Sequence, residues 1–286
     1  MNTSDYQTSK KSLSNHHPNF TVLLGDNFYD YGVSSVNDSL WGLFDSISHT
    51  SPIFYAVLGN HDYGQSINSQ IYYTQINPLW AMPARYYYKL IPFGHQYICA
   101  VFFDSYDIDK IQINWLYLVL NSAACQVQSA YRIVFTHYPI HTVGIFFADA
   151  RVARLYRDVK PILEQSGVHA YVCGHEHDMQ AFEDDGVTYL TAGSFSENYG
   201  ATVNYTDDSS LVFRKTDVPG YLVFILDSNE SMRFSFINSR TNESIYTDTI
   251  RIGRNPMAVE TVVSGDESRS STIPYIEVLI CLILLF

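Results

Sequence analysis

The sequence predicts an α/β fold arranged as a layered sandwich, and three observations carry that reading. Apolar runs of strand length alternate with helix-period stretches as far as Cys173, after which short strands dominate. Four of the early strands stop abruptly at a loop of Asp, Asn, Tyr or His, where open α/β sheets place ligand-binding groups. At 286 residues and 47% hydrophobic content the chain can bury one sizeable core. A change from alternation to strands favours stacked layers over a simple doubly wound sheet.

Taken in order, Phe20–Leu24 is a buried strand ending at Gly25-Asp26-Asn27-Phe28-Tyr29. Val36, Leu40, Leu43, Phe44 and Ile47 recur at helical spacing behind Ser34 or Ser35 as N-cap. Ile53–Leu58 is a second strand, ending at Gly59-Asn60-His61-Asp62, and 68–76 is a short helix. Strands follow over 85–90 and 96–103, split by Pro92-Phe93-Gly94. The helix over 108–120 should bury Ile111, Trp115, Leu118 and Val119. A third strand, 131–136, ends at His137-Tyr138-Pro139, and the helix over 148–165 should kink or split at Pro161 and close at Ser166-Gly167. The strand over 168–173 ends at Gly174-His175-Glu176-His177, and further strands fall at 187–191, 220–226, 232–237 and 244–252.

The net charge of −12, without a Lys/Arg cluster, argues against nucleic acid as partner. Cys99, Cys125, Cys173 and Cys281 form no C-x-x-C pair, so neither a zinc knuckle nor a dithiol redox site is indicated; Cys99 and Cys173 are expected to be buried free thiols. Sequons at Asn2, Asn19, Asn37, Asn204, Asn229 and Asn242 suggest a secretory route. Residues 1–18 form a polar segment with no apolar signal-peptide core, 19–255 the domain, 256–274 a polar linker and 275–286 a hydrophobic tail. Twelve residues are too few to span a bilayer as a helix. The tail therefore reads as a GPI-attachment signal, a truncated membrane helix or a buried terminal strand.

The strand ends carry the chemistry. Asp26 with Tyr29, Asn60 with His61, His137, and His175 with His177 mix carboxylate, phenol, amide oxygen and imidazole, the donors a hard-to-borderline cation takes. Asp26 has two oxygens and can bridge two ions, and a pair about 3.5–4 Å apart would clamp an in-line phosphoryl displacement. Asp62 reads as structural, and Glu176 as a solvated or supporting acid.

These residues in this order resemble the metallophosphoesterase superfamily and, through Tyr29, the small tartrate-resistant type of purple acid phosphatase. The resemblance runs from Phe20 to Asn198. It implies two mixed β-sheets flanked by helices, and phosphate monoester hydrolysis by hydroxide at a binuclear centre of Fe(III) and a second divalent metal (Fe, Zn or Mn). It also implies Tyr29 and His177 on Fe(III), Asn60, His137 and His175 on the second ion, Asp26 between them, and His61 as catalytic proton donor. The substrate would be a small phosphate monoester or a phosphoprotein, and the location secreted, lysosomal or vacuolar, or surface-attached through the tail.

Two departures stand out. The family's earlier metal-binding Asp, in a G-D-x-G-type loop, has no counterpart in the 25 residues before Asp26, so the first βα unit is expected to be missing. Where small members carry a His, nine residues beyond His137, this chain has Phe146, and His141 is a substrate-side candidate in its place. Two other readings keep part of the pattern: a metal-dependent phosphodiesterase, or an inactive surface binding protein that has lost a ligand.

Overall fold

The computed structural model describes residues 3–200, 207–227, 231–251 and 276–278. It opens on a helix, α1 (Thr3–Leu13), where the sequence predicted only a polar segment. Tyr6 and Leu13 enter the core, while the small hydroxyls of Ser9 and Ser12 face the same way. Ser9 Oγ donates to the Phe195 carbonyl at 2.6 Å, and Ser12 Oγ meets Tyr221 Oη at 2.8 Å. Part of this interface is thus polar and hydrogen-bonded, which an apolar-period reading does not register. The expectation that the helix before the first ligand-bearing strand is missing is therefore corrected. Among the described residues no strand precedes it.

Strand β1 (Thr21–Leu24) runs parallel to β2 (Phe54–Val57), and β2 to the short β3 (Trp80–Ala81). Every residue of the three is buried, as parallel strands covered on both faces require. Helices α2 (Trp41–Ile47) and α3 (Ile67–Tyr73) lie in the connections. The first starts later than predicted: Asp38 accepts the backbone N–H and hydroxyl of Ser34 and the N–H of Leu40, holding a turn in place of a cap at Ser34 or Ser35.

The large sheet comprises β4 (Tyr87–Phe93), β5 (Gln96–Phe102), β6 (Ser129–Phe135), β7 (Ala170–Cys173), β8 (Met179–Asp184), β9 (Val187–Ala192) and β10 (Leu211–Lys215). Its order is β10-β8-β9-β7-β6-β5-β4, with β5, β6, β7 and β9 parallel and the remaining pairs antiparallel. Alternate residues serve two cores. Ile98, Ala100 and Phe102 face β1 and β2, whereas Cys99, Val101 and Phe103 face the helices. On the helical side lie α4 (Lys110–Leu120), α5 (Ala123–Gln126), α6 (Ala150–Asp158) and α7 (Lys160–Gln165). The predicted break falls at Val159, just before Pro161. The buried face of α4 is Gln112, Leu116, Val119 and Leu120; of the predicted residues Val119 is buried and Trp115 packs against the core, but Ile111 and Leu118 are 73% and 58% exposed.

The second layer is completed by β11 (Gly220–Asp227), β12 (Ser231–Asn238), β13 (Glu243–Arg251) and β14 (Ile276–Val278), antiparallel in the order β13-β12-β11-β14. It shares one core with β1, β2 and the inner face of the large sheet. The layered α/β sandwich thus stands, although the described strands form three hydrogen-bonded sheets rather than two. Within the tail, Ile276–Val278 pairs with β11 as a strand. The linker, the rest of the tail, Cys281, Asn2, Asn204 and Asn229 lie outside the described residues. Cys173 is a buried free thiol as expected, its ionisation pushed up to about 12 by burial, but Cys99 is disulfide-bonded to Cys125 across the interface of β5 and α5.

Candidate metal centre

The carboxyl ends of β1, β2, β6 and β7 meet where the two layers face each other, and each contributes one loop. The first two loops approach so closely that a Cβ on Gly59 would lie 2.2 Å from the Asp26 backbone nitrogen and carboxylate. Asp26 itself has φ +48° and His175 φ +65°. Two residues proposed as ligands are therefore held in the left-handed region that side chains avoid, a cost that structures bear mainly at functional sites.

Asp26 lies at the middle. Its Oδ1 accepts the His61 backbone N–H at 2.9 Å and its Oδ2 accepts the Tyr29 hydroxyl at 2.9 Å. That Oδ2 is also 3.2 Å from His137 Nε2. On one side, His137 Nε2 lies 3.1 Å from Asn60 Oδ1 and 3.2 Å from His175 Nδ1. On the other, Tyr29 Oη is 3.3 Å from His177 Nε2. Each sequence-derived metal ligand is brought to this one place. His61 stacks on Tyr29 at 3.9 Å between ring centroids and donates from Nδ1 to the Asp30 carbonyl at 2.7 Å, beside the cluster.

Metal-donor atoms converge here. His137 Nδ1 donates to the Leu24 carbonyl at 2.7 Å, which turns Nε2, the donor atom of the neutral ring, toward an amide oxygen, a carboxylate oxygen and a second imidazole. His175 Nε2 is buried with no hydrogen-bond partner. Carboxylate, amide oxygen and imidazoles facing one another with few hydrogens between them fit a hard-to-borderline cation. Asp26, His137 and His175 have ligand atoms within 4.8 Å of one another, a reach one ion can satisfy.

Without an ion the cluster answers the Asp26 charge with a proton: burial opposes a charge on His137, but Asp26 outweighs it and raises the imidazole above its ordinary range, so a cation at Nε2 would displace that proton. Burial opposes ionisation of Asp26, but His137 and His61 outweigh it and hold the carboxyl well below its usual range. Burial, reinforced by the neighbouring His137, pushes His175 far toward the neutral, ligating form. At Tyr29, burial and then the Asp26 charge raise the phenol well above its ordinary value, so without a strong cation nearby it stays protonated.

Supporting residues surround this core. Asp62, fully buried, accepts from the Asn27 and Gly59 backbones and from Gln70, in the structural role expected of it. Burial and the Asp26 charge push it up to about 6. Glu176 is buried, not solvated. Its carboxylate accepts from Thr142 Oγ1 at 2.8 Å, Phe146 N at 2.9 Å, Ile145 N at 3.2 Å and Tyr199 Oη at 2.9 Å. Gly144 permits this approach, since a Cβ there would lie 2.3 Å from that carboxylate. The result is that Phe146 covers one face of His175, Tyr138 covers the other, and Tyr199 stacks on His177. Of these supports the sequence pointed to Asp62, as structural, and to Glu176, by its place between two histidines.

His141 is not brought to the cluster. Its ring lies among Tyr156, Phe182 and Tyr189, with Nδ1 3.1 Å from Asp208 and Nε2 3.2 Å from Asp184. The place where relatives of the small type carry a His is filled by Phe146, against His175.

A family model described as calcineurin-like phosphoesterase matches residues 5–179. Tartrate-resistant acid phosphatase type 5 of Homo sapiens is 27% identical over 258 residues, covering 80% of this chain and 74% of that protein. Glideosome-associated protein 50 of Plasmodium falciparum is 25% identical over 288 residues, covering 85% and 71%. A solved structure described as GAP50, the anchor in the inner membrane complex of Plasmodium, has a TM-score of 0.76 at 24% identity over 89% of this chain and 85% of that one.

Proposed function

This chain belongs to the calcineurin-like phosphoesterase family, and from that premise we propose that it hydrolyses phosphate monoesters at a binuclear metal centre, as an acid phosphatase does. The observation that carries the reading is the convergence of five ligand-type side chains, Tyr29, Asn60, His137, His175 and His177, from four strand ends on the two sides of one carboxylate, Asp26. Asn60, His137 and His175 would hold a divalent ion (Fe, Zn or Mn), Tyr29 and His177 an Fe(III), and Asp26 would lie between them. Two such cations supply charge neutralisation for the phosphoryl oxygens and an acidified water.

The chain's own residues do the rest. His61, anchored through Nδ1 to the Asp30 carbonyl, keeps Nε2 for the substrate side and would pass a proton to the leaving group. Tyr138 and Phe146 keep water from the two faces of the His175 ring. Tyr29 supports Fe(III) because so unfavourable a phenolate requires a highly charged ion against it. Charge-transfer absorption in the visible is expected for the iron-loaded protein and should vanish in Tyr29→Phe; a band intact in the variant would remove Tyr29 from the ligand set. Turnover of a monoester against a diester separates this reading from a phosphodiesterase.

A secretory location is supported by the Cys99–Cys125 disulfide and by exposed sequons at Asn19, Asn37 and Asn242. Small monoesters or phosphoproteins are the proposed substrates. The apolar tail is proposed as a membrane attachment; among the described residues no helix is long and apolar enough to cross a membrane. A second reading, an anchoring protein that uses the fold for binding, is favoured by the likeness to a protein described as an anchor. It predicts no monoester turnover by the metal-loaded protein.

A further inference from the structure

The wall of the metal centre formed by Tyr138 continues outward into a platform of two tyrosines that carries one cation. Tyr138 lies 3.9 Å from the His175 ring, and its hydroxyl donates to Asn60 Oδ1 at 3.3 Å. Tyr106 extends the platform, 6.2 Å away between centroids with the rings tilted by 31°. Over both sits the Arg151 guanidinium, 4.3 Å from the Tyr106 centroid and 5.7 Å from that of Tyr138. Ring faces attract this group without using its N–H donors, which stay free for an anion.

Among the arginines whose side chains are described, Arg132, Arg151 and Arg233 have no carboxylate partner; Arg132 donates to the Gly167 and Cys125 carbonyls and Arg233 is exposed on β12, whereas Arg151 lies beside the metal centre, in a chain of net charge −12. Arg85 is paired with Asp104 and Asp107, Arg214 with Asp178, Arg240 with Asp5, and Arg154 and Arg157 with Asp158. Arg151 forms no ion pair among the described residues. The nearby Asp149 carboxylate is engaged by the Arg151 backbone N–H at 2.6 Å, capping α6. A half-buried guanidinium, fixed beside a site for phosphate and left unneutralised, is what selective recognition of a second anionic group calls for.

We propose that Arg151 selects phosphate monoesters whose leaving group bears a second anion, a phosphate or a carboxylate, by pairing with it while the scissile phosphate lies at the metal centre. This rests on the phosphoesterase reading above for the placement of the scissile group. Arg151 acts on binding and not on the bond that breaks.

The test compares phenyl phosphate, carboxyphenyl phosphate and phenylene bisphosphate as substrates of the metal-loaded full chain, as wild type, Arg151→Lys and Arg151→Met. Methionine keeps an apolar stem on the Tyr106 ring. The wild type should show a KM about tenfold lower for an ester bearing the second anion than for phenyl phosphate, the scale of one charge-assisted pair. Arg151→Met should lose that preference with kcat and the phenyl phosphate kinetics unchanged, and Arg151→Lys should retain part of it. Whichever of the two bifunctional esters shows the effect identifies the anion. Equal KM values in the wild type, or an equal loss on all three esters in Arg151→Met, would overturn the proposal.

Calorimetric binding of inorganic phosphate and pyrophosphate is the companion measurement, because it needs no turnover. An Arg151-dependent preference for pyrophosphate without hydrolysis of any ester would sink the enzymatic reading and keep this inference. Hydrolysis without any such preference would do the reverse.

Discussion

Two clusters in this protein combine buried histidine with carboxylates, and they differ in where the protons go. Around His137 one ring N–H is taken by the Leu24 carbonyl, and Nε2 faces the oxygens of Asn60 and Asp26 and the Nδ1 of His175. Around His141 both ring nitrogens face carboxylates, Asp184 and Asp208, and the Lys160 ammonium adds its charge 3.0 Å from Asp184 and 3.2 Å from Asp185 and pairs also with Glu164. Glu164, Asp184 and Asp185 lie close enough together to hold an ion, but a lysine already occupies that role. The first cluster has only imidazoles to set against Asp26; the second contains a lysine. Composition does not separate a metal site from an ion-pair network, whereas an account of donors and acceptors does.

The comparison breaks most readily at Glu176, which ties both proposed ion sites to the loop above them. Four donors converge on its carboxylate, so Glu176→Gln turns an amide N–H₂ against at least one of them. Metal affinity should fall by about 10–100-fold, the usual scale for a support behind a ligand, as read by calorimetric titration. An unchanged affinity would show that the clamp over His175 and His177 has no bearing on the metals. Lys160→Met acts on the other cluster. It leaves three carboxylates without their cation and should cost about 2 kcal/mol in chemical denaturation, allowing for the partial exposure of the partners. Metal content should not change.

A third buried histidine sharpens the contrast by having neither partner type. His169, in the turn leading into β7, accepts the Arg132 backbone N–H at Nδ1, and burial with the adjacent Arg132 guanidinium pushes it down to about 3. The folded value lies below the unfolded one of 6.5, so between them the unfolded chain takes up a proton that the fold refuses. The resulting stability is fully present above pH 6.5 and is lost progressively as pH falls toward 3. At pH 5.5 the loss is about 1 kcal/mol. His169→Asn should flatten this part of the stability profile; a slope as steep as that of the wild type would count against it.

The candidate cluster was legible in sequence because each proposed ligand lies in the loop within five residues of an apolar strand's end, and a strand end fixes position within a sheet. The split between α6 and α7 was legible for a similar local reason, the missing N–H and fixed φ of Pro161. What the sequence hid depends on contacts between distant segments. Helix α1 docks partly through Ser9 and Ser12, whose partners lie far along the chain. The face of α4 is turned by Gln112, which donates to the Asp104 carbonyl at 2.7 Å. Cys99 and Cys125 become partners only when α5 packs against β5. His141 belongs by sequence to the loop after β6, but its two carboxylates come from β8 and from the segment before β10.

The account stands on the claim that cations bind at the first histidine cluster and not at the second. Its most direct test is the metal content, by mass spectrometry after loading with iron and zinc, of the wild type, His137→Ala and His141→Ala. Two ions in the wild type and in His141→Ala, with loss in His137→Ala, is the predicted result. Metal retained by His137→Ala, or lost from a folded His141→Ala, would contradict it.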